Sequence, residues 1–119
     1  MTVAFVLGGG GVRGAVEVGM LRALFEHGIT PELIVGTSIG AINGAAVAHD
    51  PTPRVVDTLM DAWASPTASA VYGDSWFRQM QRLAQSRTHL NDPGPLRSLL
   101  GEIIGAHTRF EDLAVPLAV

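Results

Sequence analysis

The pentapeptide Gly36-Thr37-Ser38-Ile39-Gly40 constrains this 119-residue chain more than any other stretch. It follows the apolar run Leu33-Ile34-Val35 and precedes a run of small residues from Ala41 to Ala48. A serine between two glycines at a strand-to-helix junction is the pattern of a nucleophile elbow, where a sharp turn carries the hydroxyl clear of its neighbours. Such a turn strains the serine backbone, and Gly36 and Gly40 supply flanks without side chains, so that a substrate can approach. The helix beyond directs its first N–H groups and positive dipole end at the spot where negative charge would develop.

A second glycine-rich segment lies upstream. Residues 3–7, Val-Ala-Phe-Val-Leu, read as a short buried strand that runs directly into Gly8-Gly9-Gly10-Gly11-Val12-Arg13-Gly14. A helical pattern follows from Ala15 to Glu26, closed by Gly28 at the C′ position. Four consecutive glycines are entropically costly to order. They make sense where backbone N–H groups must reach a ligand or an oxyanion without obstruction, and an acyl-transfer site needs such donors facing its serine. Three other functions fit the loop less well. Gly9-x-Gly11-x-x-Gly14 matches a dinucleotide fingerprint, but that fingerprint wants an acidic residue at the end of the second strand, and Glu32 precedes that strand. A phosphate-binding P-loop needs Gly-Lys-Ser/Thr where this chain has Arg13-Gly14-Ala15. A turn that only packs a helix on a sheet is the plainest alternative.

The two loops together are more specific than either alone. Gly-Gly-Gly-x-Arg-Gly near the N-terminus, followed about two dozen residues later by Gly-Thr-Ser-x-Gly-Ala, resembles the patatin-like phospholipase family. The match runs from Val6 to Ala15, continues through Gly19-Met20-Leu21-Arg22-Ala23-Leu24 and His27-Gly28-Ile29, and resumes from Val35 to Ala45. A weaker echo lies in Phe110-Glu111-Asp112-Leu113-Ala114-Val115-Pro116-Leu117. The resemblance implies an acyl-lipid ester hydrolase of phospholipase A, lysophospholipase or esterase type, working through a Ser–Asp dyad. Carried over residue by residue, Ser38 is the nucleophile and Gly9, Gly10, Gly11 and Gly14 form the oxyanion hole. Arg13 matches the family's basic position in that loop, where it either supports the loop or adds positive potential toward an anionic head group.

The family's base is an aspartate in a downstream Asp-Gly-Gly or Asp-Gly-Ala motif, and here the chain departs from the pattern. None of Asp50, Asp57, Asp61, Asp74, Asp92 and Asp112 is followed by Gly-Gly or Gly-Ala. Asp50, Asp74 and Asp92 read as turn or cap residues, and Asp57 and Asp61 fall on the polar side of a helix. The histidines at 27, 49, 89 and 107 read as surface or capping residues. The last residues, Ala114 to Val119, look like a strand that stops in mid-run, so residues 1–119 are expected to form the N-terminal portion of a single patatin-like domain, with the aspartate beyond them.

The remaining pattern is helical. Val56, Leu59, Met60 and Trp63 form one stripe after Pro53, and Trp76, Met80, Leu83 and Ala84 form a second. Leu96, Leu99, Leu100, Ile103 and Ile104 form a third, entered through Pro93-Gly94-Pro95. Loops are expected at 50–53, 65–74 and 86–95. Trp76, Phe77 and Met80 either pack on the sheet or line an acyl-chain groove.

The expected fold is α/β, a three-layer α/β/α arrangement on a mostly parallel central sheet, truncated at its C-terminus. A 47% hydrophobic chain with 14 glycines suits helices packed closely on such a sheet. The net charge of −3 and the lack of a basic run argue against nucleic acid as partner. With no cysteine, neither disulfides nor thiol chemistry enter. No stretch reaches the roughly 18–20 apolar residues of a membrane span, and no signal peptide is visible. A cytoplasmic protein with transient contact to a membrane surface is expected. Its partner is a lipid or other acyl-ester substrate, and neither metal nor organic cofactor is needed, because serine, base and oxyanion hole suffice. The competing expectation is a non-catalytic α/β module, either an inactive homologue or a dinucleotide-binding half-domain.

Overall fold

The computed structural model describes residues 2–72 and 94–119. Three parallel strands, β1 (Ala4–Leu7), β2 (Leu33–Gly36) and β3 (Leu117–Ala118), lie in the order β1-β2-β3. Phe5 pairs with Ile34 and Leu7 with Gly36, while Ile34 pairs with Leu117 on its other side. Between them run helices α1 (Gly14–Glu26), α2 (Ile39–His49), α3 (Arg54–Ala64), α4 (Pro66–Tyr72) and α5 (Gly94–Ile104). Short 3-10 turns at Gly11–Arg13 and Phe110–Asp112 complete the described elements. This is the α/β class with the parallel sheet that the sequence predicts.

Two β–α units carry the site. α1 starts at the last glycine of the upstream loop and ends where its sequence dictates. Gly28 takes a φ of 72°, its N–H reaches the Phe25 carbonyl at 2.9 Å, and the Ile29 N–H reaches Leu24 at 2.9 Å. That is a Schellman ending, the role expected of Gly28. His27 Nδ1 donates to the Ala23 carbonyl at 2.7 Å and seals the same end. α2 is apolar nearly all round, and residues 42–48 are buried, as such helices must be. Its small side chains let it lie close on the sheet: a Cβ on Gly44 would stand 3.0 Å from Ile34 Cγ2.

The core forms on one side of the sheet, around Phe5, Leu21, Ile34, Ile39, Val47, Leu59 and Leu99. Phe5 meets Phe25 of α1 edge-on, with ring centroids 6.2 Å apart. On the opposite side of the sheet Val6 is 75% exposed, so β1 is buried on one face only among the described residues. The apolar run at 3–7 predicts burial on both.

Two helical expectations also shift. In α3 the buried stripe is Val55, Val56, Leu59 and Ala62, while Met60 is 47% exposed. Residues 66–72, expected within a loop, form α4 instead. Ser65 Oγ accepts from the Ala68 N–H at 3.1 Å, and Pro66 takes the first helical position. Capping serine followed by proline is a helix start that a Ser/Thr/Pro-rich segment disguises. α5 begins at Gly94 and buries Leu99 and Ile103, as its stripe predicts. The expected helix around Trp76, Met80, Leu83 and Ala84 lies outside the described residues, as do Asp74, Phe77, His89 and Asp92.

Candidate active site

Both glycine-bearing loops leave the C-terminal ends of neighbouring parallel strands, the usual place for a site in such a sheet. Leu7 and Gly36 are the last paired residues, and the Thr37 N–H donates to the Leu7 carbonyl at 3.0 Å. The glycine loop and the elbow therefore start side by side.

Ser38 is exposed, with φ 55° and ψ −122°, and it has the only positive φ of any non-glycine among the described residues. Such an angle costs of order 1–3 kcal/mol and persists only where the surroundings enforce it. The enforcement is visible at both flanking glycines. A Cβ on Gly36 would lie 2.5 Å from the Gly40 carbonyl oxygen, and one on Gly40 would collide with the Leu7 and Gly8 carbonyls. Real Cβ atoms essentially never come within 3.0 Å of another heavy atom, so only glycine fits either place.

The upstream loop closes over the serine. The Cβ direction of Gly9 points to within 3.4 Å of Ser38 Cβ. Gly10 and Gly11 have φ values of 150° and 57°, which glycine adopts freely. The N–H groups of Gly9 and Gly10 make no backbone hydrogen bond among the described residues. The Ile39 N–H, first of α2, is likewise without one. Donors without a backbone partner among the described residues, set beside an exposed hydroxyl, are what an oxyanion hole requires. Gly14 has a different place from the other three glycines. It opens α1 and is buried against Ile39 and Trp63, where a Cβ would come within 2.5 Å of both. Arg13 is exposed; its aliphatic stem lies against Gly10, and its guanidinium makes no ion pair among the described residues.

An apolar groove of about 350 Å³ opens beside Ser38. Ala41, Ile42 and Ala45 of α2, Leu96, Leu100 and Ile104 of α5, and Leu113 and Leu117 line it. Thr108, Arg109 and Phe110 complete its polar and aromatic lining. The α5 stripe reads in the sequence only as one side of a helix, and nothing in its spacing separates a groove lining from a core. Trp76, Phe77 and Met80, the residues expected at such a groove, lie outside the described residues.

Among the described residues no carboxylate or imidazole is hydrogen-bonded to Ser38. Asp50 accepts from Thr52 Oγ1 at 2.7 Å, Asp112 from the Arg109 N–H at 3.0 Å, and Asp57 and Asp61 are exposed. His49 and His107 are exposed as well. No group of three or more potential metal ligands occurs among the described residues.

The polar residue that sequence reasoning passed over is Asn43. Its side chain is fully buried in an otherwise apolar helix, donating to the Gly14 carbonyl at 3.0 Å and to Glu17 Oε2 at 2.9 Å. It accepts from Trp63 Nε1 at 3.2 Å. The signal was present, since a lone asparagine amid alanine, glycine and isoleucine must find partners when buried.

A family model for patatin-like phospholipases matches residues 5–119. The chain belongs to that family. A patatin-like phospholipase domain-containing protein of Caenorhabditis elegans is 46% identical over 67 residues, 56% of this chain and 5% of its own length. Neuropathy target esterase of Drosophila sechellia is 31% identical over 115 residues, 97% of this chain and 7% of that protein. Lysophospholipase nte1 of Aspergillus terreus is 57% identical over 49 residues, 41% of this chain and 3% of that enzyme. This patatin-like chain therefore spans less than a tenth of each of these relatives. Among its described residues no helix is long and apolar enough to cross a membrane.

Proposed function

We propose that this patatin-like chain supplies the nucleophile and oxyanion hole of an acyl-lipid ester hydrolase. The observation that carries the proposal is Ser38, exposed at a strained φ between two obligatory glycines, facing Gly9 at the mouth of an apolar groove. Names of relatives that include esterase, phospholipase and lysophospholipase support the substrate class.

Ser38 Oγ attacks the ester carbonyl carbon while its proton passes to a general base. The carbonyl oxygen gains negative charge and is held by N–H groups of the Gly9–Gly11 loop and of Ile39. Collapse expels the alcohol and leaves an acyl-Ser38 ester, which water then hydrolyses. The base in this reading is an aspartate; no aspartate of this chain is followed by Gly-Gly or Gly-Ala, and none among the described residues is hydrogen-bonded to Ser38. Gly14 contributes by fixing the loop's exit. The apolar groove takes the acyl chain, and each methylene that enters it favours binding by about 0.8 kcal/mol, about fourfold.

The test is labelling of the complete natural protein with a fluorophosphonate probe, followed by a series of nitrophenyl esters of increasing acyl length. Expected are stoichiometric labelling at Ser38, its loss in Ser38→Ala, and kcat/KM rising with chain length until the groove is full. Undiminished labelling of Ser38→Ala would refute the assignment, and absence of labelling in the natural protein would favour a non-catalytic module.

A further inference from the structure

We infer that Asn43 is a positioning residue, which holds the glycine loop in register with the serine elbow; this rests on the acyl-transfer function proposed above. Asn43 is the one polar side chain buried completely among the described residues. It lies five residues beyond Ser38, on the helix that the serine opens. Its contacts reach two further helices: Gly14 and Glu17 on α1 and Trp63 on α3.

The orientation of the amide follows from its partners. An indole N–H only donates, so Oδ1 faces Trp63; a backbone carbonyl and a carboxylate only accept, so Nδ2 faces Gly14 and Glu17. Both amide protons and the amide oxygen are therefore used at one point. Aspartate has the same shape but would set an ionised carboxylate against Glu17 and the Gly14 carbonyl, and leucine would offer no hydrogen bond at all.

What this amide grips is the exit of the glycine loop. Gly14 is the residue at which the loop becomes α1, and its α-carbon is pressed against Ile39, the neighbour of Ser38, and against the Trp63 ring. Pulling Gly14 toward α2 therefore sets the gap between the loop donors and Ser38 Oγ. Oxyanion donors act within a few tenths of an ångström of their best distance, and a displacement of about 1 Å costs on the order of a hundredfold in rate. The hydrogen bonds of Asn43 go to Gly14, Glu17 and Trp63 and not to Ser38, and it does not line the groove, so it acts through Gly14.

The experiment measures fluorophosphonate inactivation of the complete natural protein, separating probe affinity from the rate of covalent reaction. Asn43→Leu is expected to slow the covalent step by about 10–100-fold with affinity within about twofold of the natural protein. Asn43→Asp is expected to slow it as well, and Glu17→Gln added to that variant to recover part of the loss, because the Gln amide can donate to the new carboxylate. Amide hydrogen exchange at Gly9–Arg13 is expected to quicken in Asn43→Leu, whether or not the protein reacts with the probe. Where Asn43→Leu does not fold, Trp63→Phe removes one of the three bonds, and about threefold slowing is expected. Unchanged covalent rate, or loss of rate with no recovery from Glu17→Gln, would overturn the inference. So would unchanged exchange in the loop. A natural protein that never labels Ser38 would instead overturn the hydrolase proposal, leaving the exchange measurement to decide the role of Asn43.

Discussion

Gly40→Ala puts one methyl group where the structure has no room for it. The new Cβ would sit 2.5 Å from the Leu7 carbonyl carbon and 2.7 Å from the Gly8 oxygen. Carbon contacts are comfortable from about 3.5 Å, so something must yield by about 1 Å. The obstacle is backbone, and it is pinned: the Leu7 carbonyl accepts from Thr37 at 3.0 Å, and Leu7 is paired with Gly36 in the sheet. A side chain could rotate away, but a carbonyl at the end of a paired strand cannot. Overpacking of this kind costs about 3 kcal/mol, the upper end of its usual range. The gain of replacing glycine by alanine in a helix returns up to about 1 kcal/mol. The net loss of about 2 kcal/mol lowers the thermal midpoint by about 8 °C for a domain of this size. Circular dichroism at 222 nm on both proteins reads this directly. Gly19→Ala is the control, since nothing lies within 4 Å of its Cβ position in mid-α1, and it should raise the midpoint by a few degrees. A Gly40→Ala protein melting within about 2 °C of its parent would refute the claim that the elbow is sterically closed against β1.

Gly9→Ala should behave in the opposite way. Its Cβ meets Ser38 Cβ at 3.4 Å and so fits, leaving the thermal midpoint unchanged, but it fills the approach to the serine and should slow fluorophosphonate labelling at least tenfold. Ser38→Gly relieves the positive φ and should raise urea-measured stability by about 1 kcal/mol while abolishing labelling. Ala45→Leu narrows the groove beside Ser38, and kcat/KM for a decanoyl ester should fall well below its effect on an acetyl ester; equal losses would count against the acyl groove.

Much of this fold can be read from residue order because glycine and short apolar runs punctuate it. The β1-loop-α1 and β2-elbow-α2 units are legible for that reason, and Gly28 marks the end of α1 by the conformation it permits. Burial is less legible than element type. Val6 is apolar and strand-forming, yet its exposure depends on what lies over that face of the sheet, which no local pattern records. Val55 and Met60 show a similar limit, because apolar side chains line more of α3 than the core can accept. The groove was hidden for a related reason: Leu96, Leu100 and Ile104 have the same chemistry whether they fill a core or line a channel. Asn43 shows that a polar residue out of place in an apolar helix deserved a partner, although spacing could not say that the partners were Gly14, Glu17 and Trp63.

The pairing of Leu7 with Gly36 has a wider consequence. Adjacent strands stand about 4.8 Å apart whatever their side chains are, so the ladder works as a ruler that sets the distance between the two loops it releases. The groove, by contrast, is lined mostly by side chains on α2 and α5, which lie outside the ladder. A lineage can therefore exchange alanines and leucines along the groove, and with them the molecules it accepts, while the spacing at Ser38 is inherited unchanged from the peptide bonds themselves.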